Sequence, residues 1–257
     1  NPYELALRGA GDGLGKVALG QSLTADHVLR FQDLLPHASY ELATYALAEL
    51  FTRKDEAEIA ELRKAGHAID AVHAQVPQLL QAGRTEAEVA HELEKLILQE
   101  HSVIDFVIVG SGPNGANPHH NFSDRVLAEG EPVVVDIGGT LPSGYHSDCT
   151  RTYVVGGDIS TAPQDFQDAY AVLADAQSAA RAAAHPGSTA ADIDAITRQA
   201  ISAAGWGDYF VHRTGHGIGL STHEEPFIME GNDLALEEGV AFSIEPGIYL
   251  EGKWGMR

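Results

Sequence analysis

The order of elements along the chain predicts an α+β fold, with two helix–helix–strand halves forming a pseudo-twofold core. Three observations carry that expectation. Helical periodicity runs from Arg53 to about His101 and returns from Gln164 to Ala204. Each helical stretch is followed by short β-rich runs bounded by Gly, Pro and Asn. Finally, Glu131-Pro132-Val133-Val134-Val135-Asp136-Ile137-Gly138 resembles Glu238-Gly239-Val240-Ala241-Phe242-Ser243-Ile244-Glu245 followed by Pro246-Gly247: an acidic turn, an apolar strand, an acid near its end and a glycine. As a repeat this is too degenerate to stand alone.

Residues 1–50 are weakly patterned. Val28 to Leu35 looks helical and Pro36 ends it. We read 1–50 as the tail of a separate element or domain. Ile59, Leu62, Ile69, Val72, Val76 and Leu79 recur at spacings near 3.6, which predicts one long amphipathic helix over 55–82, ended by Gly83. Thr85-Glu86-Ala87-Glu88 is a capping box that starts a second helix. Phe106 to Val109 is a short β run leading into a Gly/Pro/Asn loop, and Val133 to Ile137 is a buried strand. Thr150 to Val155 is β-branched and pairs back on it as a hairpin. Helices return over 164–184 and 190–204, broken by Pro186-Gly187 and capped by Ser188 or Thr189. A Gly/His loop and a strand over Val240 to Glu245 complete the pattern.

Composition narrows the function. Sixteen Lys and Arg against thirty-seven Asp and Glu give a net charge of −21, which argues against nucleic-acid and anionic-lipid partners. Apolar residues at 44% are enough for a core, so acidity does not imply disorder. The single cysteine, Cys149, forms no intrachain disulfide and fits a reducing, cytoplasmic compartment. No apolar run reaches the roughly eighteen residues of a membrane helix. Both ends look cut: the chain opens Asn1-Pro2-Tyr3 without Met or signal peptide, and closes Gly255-Met256-Arg257 without a final helix or polar tail.

The candidate chemistry lies in misplaced acids and histidines. Asp136 follows three valines in a strand that otherwise reads as buried, where an ionised carboxylate is costly unless paired or metal-bound. Asp148 starts the returning strand, and a hairpin brings the two together. Two such carboxylates repel, and a cation between them resolves it. Either acid could instead cap a turn. Glu245 is the same anomaly in the other half, or an edge-strand acid. His216, in Thr214-Gly215-His216-Gly217-Ile218-Gly219-Leu220, stands between glycines that give room beside an imidazole, with His212 and His223 flanking it. His119 and His120 form another pair on the loop leading to the Asp136 strand. Several carboxylates with one imidazole favour Mn²⁺, Co²⁺ or Fe²⁺ over a thiolate zinc site. Bridging carboxylates suggest two metals about 3.5 Å apart and hydrolytic chemistry.

The motifs Val133 to Gly139, Tyr145 to Thr152, Gly215 to Leu220 through His223-Glu224, and Ile244-Glu245-Pro246-Gly247-Ile248-Tyr249 together resemble the pita-bread metallopeptidases, in their proline-specific branch of prolidase (Xaa-Pro dipeptidase) and aminopeptidase P. The resemblance covers residues 53–257, and 1–50 would be a remnant of the family's smaller N-terminal, creatinase-like domain. It implies the pita-bread (creatinase/aminopeptidase) fold and two divalent ions, Mn²⁺ preferred and Co²⁺, Zn²⁺ or Fe²⁺ admissible. Asp136, Asp148, His216 and Glu245 would be ligands, with Asp148 bridging. Glu245 would also shuttle the proton of a metal-bridging water. His119, His212 and His223 would hold the substrate and stabilise the tetrahedral intermediate, with Tyr249 and Arg257 beside them. The implied reaction is hydrolysis of the Xaa-Pro bond of dipeptides, or of longer peptides with proline second if the chain is closer to aminopeptidase P. A homodimer is implied as well. The family's last ligand, a glutamate, falls beyond Arg257, so the 257-residue species is expected to be weak or inactive and the intact protein active. A binding module that reuses the fold would have lost these acids. The metal-free creatinase type and methionine aminopeptidase fit the motifs less well.

Overall fold

The computed structural model of the chain describes residues 14–20 and 22–257; the opening Asn1-Pro2-Tyr3, and with it the start of the 1–50 segment, lies outside the described residues. The chain divides into two compact units, Asn1–Phe51 and Thr52–Arg257. In the first, strand β1 (Lys16–Leu19) pairs in parallel with β2 (Ser39–Leu42), and helix α1 (Ala25–Leu34) lies between them in sequence. The helix stops just before Pro36, because the residue ahead of a proline is pushed out of helical geometry.

The second unit begins with α2 (Glu56–His73), whose first turn is closed by a reciprocal Asp55–Glu58 capping box. The single helix expected over 55–82 is in fact two. α2 ends at His73, and a four-residue helix, α3 (Val76–Leu79), restarts with Pro77 in its first turn. Proline has no N–H to continue the ladder and is tolerated only near a helix start, so it converts one periodic stretch into two pieces. The Thr85–Glu88 capping box starts α4 (Glu86–Ile97) as expected.

The central layer is an antiparallel sheet of β3 (Val103–Ser111), β4 (Pro132–Thr140) and β5 (His146–Val154), ordered β3-β4-β5. Each strand is longer than its hydrophobic run. On β4 the alternation is clean: Val133, Val135 and Ile137 enter the core under α2 and α4 with Ile69, Val72, Val89, Leu93 and Ile97. The intervening Val134, Asp136 and Gly138 therefore face the other way. That is how a strand buried on both sides delivers a carboxylate to a site.

The second half carries α5 (Gln164–Ala183) and α6 (Ala190–Ala203). They pack in two further clusters, one around Phe166, Ile201, Trp254 and Met256 and one around Ala190, Ile193 and Ile228. The Gly/His segment contains a three-residue strand, β6 (Gly215–Gly217), paired with β7 (Glu224–Ile228). The run Val240 to Glu245 forms no regular strand, contrary to the sequence reading. It lies antiparallel beside β6 through Glu245 N–H to Thr214 O at 2.8 Å, Ser243 N–H to His216 O at 2.8 Å and Ile218 N–H to Ala241 O at 3.2 Å. Short strands β8 (Ile248–Leu250) and β9 (Trp254–Met256) form a hairpin. Among the described residues, no helix is long and apolar enough to cross a membrane.

Candidate metal centre

Asp136 stands opposite Thr150 in the β4–β5 register, and Gly138 stands opposite Asp148. Asp136 and Asp148 are therefore diagonal neighbours on one sheet face, the approach the hairpin predicts. Asp136 is buried, accepts a 2.7 Å hydrogen bond from Thr150 Oγ1, and ion-pairs with the Arg257 guanidinium. Its burial pushes the carboxyl up to about 7 against the pull of Arg257, with Asp148 and Glu245 adding repulsion.

The second half delivers His216 and Glu245. His216 Nε2 is 2.9 Å from Glu245 Oε1 and 3.5 Å from Asp148 Oδ2. Its Nδ1 is 3.0 Å from the Gly217 carbonyl, to which it donates, so in the neutral ring the lone pair sits on Nε2, facing the acids. Burial alone would lower the His216 pKa, but hydrogen bonds to Asp148 and Glu245 hold it at about 10. Burial would likewise raise Glu245, yet His216 and Arg257 hold it at about 2. Ser243 Oγ donates to Glu245 Oε1 at 2.8 Å and accepts from His216 N–H at 3.0 Å, fixing the two relative to each other.

The glycines around His216 have a reason other than room for the imidazole. A Cβ on Gly215 would lie 2.0 Å from the Ser243 carbonyl oxygen, and one on Gly217 would lie 2.2 Å from that of Glu225. Only glycine lets the flanking backbones approach β6 this closely.

His223 packs its ring 4.1 Å from that of His216, and ligand atoms of Asp148, His216 and His223 lie within 4.8 Å of one another. Burial lowers the pKa of His223, as it does that of His212. His212 has both nitrogens engaged: Nδ1 donates to the Arg213 carbonyl at 2.6 Å, and Nε2 accepts from Tyr249 Oη at 2.8 Å. Burial pushes the Tyr249 phenol up, so it stays a donor. His119 is exposed on the loop after β3; its backbone N–H donates to Asn117 Oδ1 at 3.1 Å. Arg257 lies among the acids, its Nε 3.6 Å from Glu245 Oε2 and 3.0 Å from Thr150 Oγ1. Asp148, Glu245, Ser243 and Arg257 line a cavity of about 580 Å³.

This donor set fits divalent metal. Three carboxylates gather around the His216 imidazole, and among the described residues Arg257 and a proton on His216 offset their negative charge. Hard oxygen donors with imidazole suit a divalent ion.

Several supporting residues escape sequence reading. Glu86, in the first turn of α4, is fully buried and accepts from Ser111, Asn114, His120 and Ser123, tying down the loop that carries His119. Asp194 in α6 is buried, holds Arg198 through both oxygens, and accepts from Thr214 N–H and Oγ1. Arg198 in turn donates to the carbonyls of Phe210 and His212, so one helix fixes the segment between His212 and His216. Lys54 pairs with Glu224 at 2.5 Å beside His223. Asp194 had a readable signal: it occupies the apolar stripe Ala190, Ile193, Thr197, Ile201. Glu86 had none, hidden inside a capping box that explains itself.

Residues 60–257 match the model of metallopeptidase family M24. The chain is 53% identical over 258 residues to the probable dipeptidase PepE of Mycobacterium tuberculosis, covering 100% of this chain and 68% of that protein. It is 39% identical over 241 residues to an Xaa-Pro dipeptidase of Lactobacillus delbrueckii subsp. lactis, covering 91% of this chain and 64% of that one. The crystal structure of dipeptidase PepE from Mycobacterium ulcerans superposes with a TM-score of 0.92 at 51% identity, covering 100% of this chain and 68% of that one. The chain belongs to metallopeptidase family M24 and has its pita-bread fold.

Proposed function

We propose that this M24 metallopeptidase is an Xaa-Pro dipeptidase: a metal-dependent exopeptidase that hydrolyses the bond between an N-terminal residue and a following proline. The observation that carries the reading is the convergence of Asp136, Asp148 and Glu245 with His216 Nε2 at the meeting of the two halves. The proline preference is taken from the similarity to relatives that bear the Xaa-Pro dipeptidase name.

Asp136, Asp148, His216 and Glu245 would hold the divalent ions. When bound, such ions polarise the scissile carbonyl and lower the pKa of a water nucleophile. The chain's own residues do the rest. Glu245, held ionised far below neutral pH, is the proton acceptor. Ser243 Oγ holds its Oε1, and the carboxylate receives the proton of the attacking water and delivers it to the proline nitrogen, a poor leaving group until protonated. His223 is kept neutral by burial, and an imidazole N–H can donate to the carbonyl oxygen as negative charge develops on it. His212 uses both nitrogens to position Tyr249 against the site. His119, on its exposed loop, and Arg257 complete the set assigned to substrate. Arg257 does so indirectly, by neutralising Asp136 and Glu245.

Hydrolysis of an Xaa-Pro dipeptide by the full-length protein with added Mn²⁺ tests the reading, against Xaa-Pro-Yaa and non-proline dipeptides as comparisons. Release of free proline from the dipeptide is expected; no cleavage of any Xaa-Pro bond rejects the proposal. Manganese as the working ion, a homodimer and a cytoplasmic location belong to the same proposal. The first two are checked by metal analysis and sedimentation of the purified protein, the third by cell fractionation.

A further inference from the structure

In a chain with thirty-seven acids against sixteen Lys and Arg, every cation near the site should find a carboxylate. Three do: Lys54 pairs with Glu224, Arg198 with Asp194, and Arg257 with Asp136 and Glu245. Arg213 does not. Its half-buried guanidinium makes no ion pair with any of the described residues, and its Nε is buried without a hydrogen-bond partner. It lies 4.9 Å over the ring of Phe227. Leaving a guanidinium donor unsatisfied is costly, and stacking on an aromatic face holds the planar fork in one orientation. An arginine fixed in place and lacking its anion is arranged to receive one.

Its surroundings identify which. Phe227 stands directly opposite His216 in the β6–β7 register, so the two side chains leave the same face of that hairpin. The His223 ring packs on His216, and the Arg213 backbone carbonyl anchors His212. Arg213 thus directly follows His212 and stands in the same short segment as His216. It stands on the hairpin side, whereas Arg257 is committed to the acids themselves. A product with a proline at its C-terminus presents one fixed anion, the α-carboxylate, a single residue away from the scissile carbonyl.

We propose that Arg213 binds the free α-carboxylate of the substrate and thereby selects dipeptides over longer peptides. This inference rests on the Xaa-Pro dipeptidase reading. Blocking the carboxylate as an amide, or extending it by another residue, removes the charge that Arg213 recognises while leaving the scissile bond intact.

The test compares the full-length, metal-loaded enzyme with its Arg213→Gln and Arg213→Lys variants on an Xaa-Pro dipeptide and on the same dipeptide as its C-terminal amide. The wild type is expected to prefer the free acid. Arg213→Gln should raise KM for the acid by about tenfold or more, with kcat nearly unchanged and the amide reaction within about twofold of wild type, so that the preference collapses. Arg213→Lys should keep part of the preference, because it retains the charge without the planar fork. A wild type that does not distinguish acid from amide would overturn the inference while leaving the dipeptidase reading standing. So would variants that lose acid and amide hydrolysis in equal proportion, the mark of a merely structural arginine. A wild type that cleaves neither ends both.

Discussion

Replacing Glu86 by Gln is the most informative change outside the metal centre. The carboxylate is fully buried and takes donors on both oxygens. Oε1 accepts Ser111 N–H and Ser111 Oγ, both at 2.7 Å. Oε2 accepts Ser123 N–H at 3.0 Å, Ser123 Oγ at 2.6 Å and His120 Nε2 at 3.0 Å. One backbone N–H therefore points at each oxygen. A glutamine has one oxygen and one amide NH₂, so either orientation sets NH₂ against a backbone N–H that cannot turn away. The hydroxyls can rotate to accept; the backbone cannot. A buried unsatisfied N–H costs about 1–3 kcal/mol, and the lost charge-assisted bonds add to it. We expect Glu86→Gln to destabilise the protein by about 2–4 kcal/mol, or roughly 4–16 °C in Tm for a protein of this size. Urea unfolding is the assay, with the midpoint falling and m unchanged. The pH dependence supplies a second check. Burial alone would raise the Glu86 pKa, but the bonds from Ser123 and Ser111 more than offset it and hold the group below 4.5. A depressed carboxyl contributes stability that is complete above its unfolded pKa and lost as pH falls through the folded one. The gap between wild type and variant should thus be widest near neutrality and close on acidification below pH 4.5. A variant within about 0.5 kcal/mol of wild type at neutral pH, or a gap that widens in acid, refutes the reasoning.

Three further outcomes are expected. Asp148→Asn should abolish Mn²⁺ binding by calorimetry and reduce hydrolysis by more than the roughly 10–100-fold that outer-shell changes alone cause; retention of full activity would remove Asp148 from the centre. The acids hold His216 protonated up to about pH 10 in the metal-free chain, so metal uptake near neutral pH should release a proton, seen as a binding heat that varies with the buffer's ionisation enthalpy. A buffer-independent heat would contradict this. Asp194→Asn should destabilise by about 1–3 kcal/mol, because a buried acceptor of Arg198 and Thr214 is lost while the partly exposed Arg198 can turn to water, and adding Arg198→Met should recover part of the loss; unaltered thermal stability of the single variant would count against this role of Asp194.

Much of this was legible in the sequence because the informative residues violate a local rule. Asp136 stood out by following three valines, and the β4–β5 register puts it diagonal to Asp148 as a hairpin requires. The capping boxes at Thr85 and Thr189 were readable because both partners lie within one turn. The illegible parts depend on distant contacts. Periodicity carried the first helix past His73, because the apolar stripe continues on the far side of Pro77 while the backbone does not. Val240 to Glu245 reads as a strand, yet its partner β6 is only three residues long, too short to build a regular ladder. The glycines beside His216 were correctly singled out for the wrong reason: the space they give is taken by the Ser243 and Glu225 backbones. Arg213 carried no signal, since the absence of an ion pair is a property of the folded chain alone.

What separates the chemical acids from the structural ones is how many of their lone pairs are already taken. An ionised carboxylate offers about four acceptor positions. Glu86 and Asp194 fill theirs with backbone N–H groups, hydroxyls and an arginine or histidine, and each ties down a loop ahead of site residues in its own half. Asp136 and Glu245 accept no backbone N–H among the described residues; they meet hydroxyls, His216 and Arg257. Among the described residues, Asp148 meets His216 Nε2 alone, at 3.5 Å. Asp136 is as buried as Glu86 and Asp194, while Asp148 and Glu245 are only partly buried, so burial by itself says nothing about function. A buried acid whose bonds are complete is a strut. One held in place with acceptor capacity to spare, beside two others like it, is poised to take a cation, and the two struts keep the loops around that cation in position.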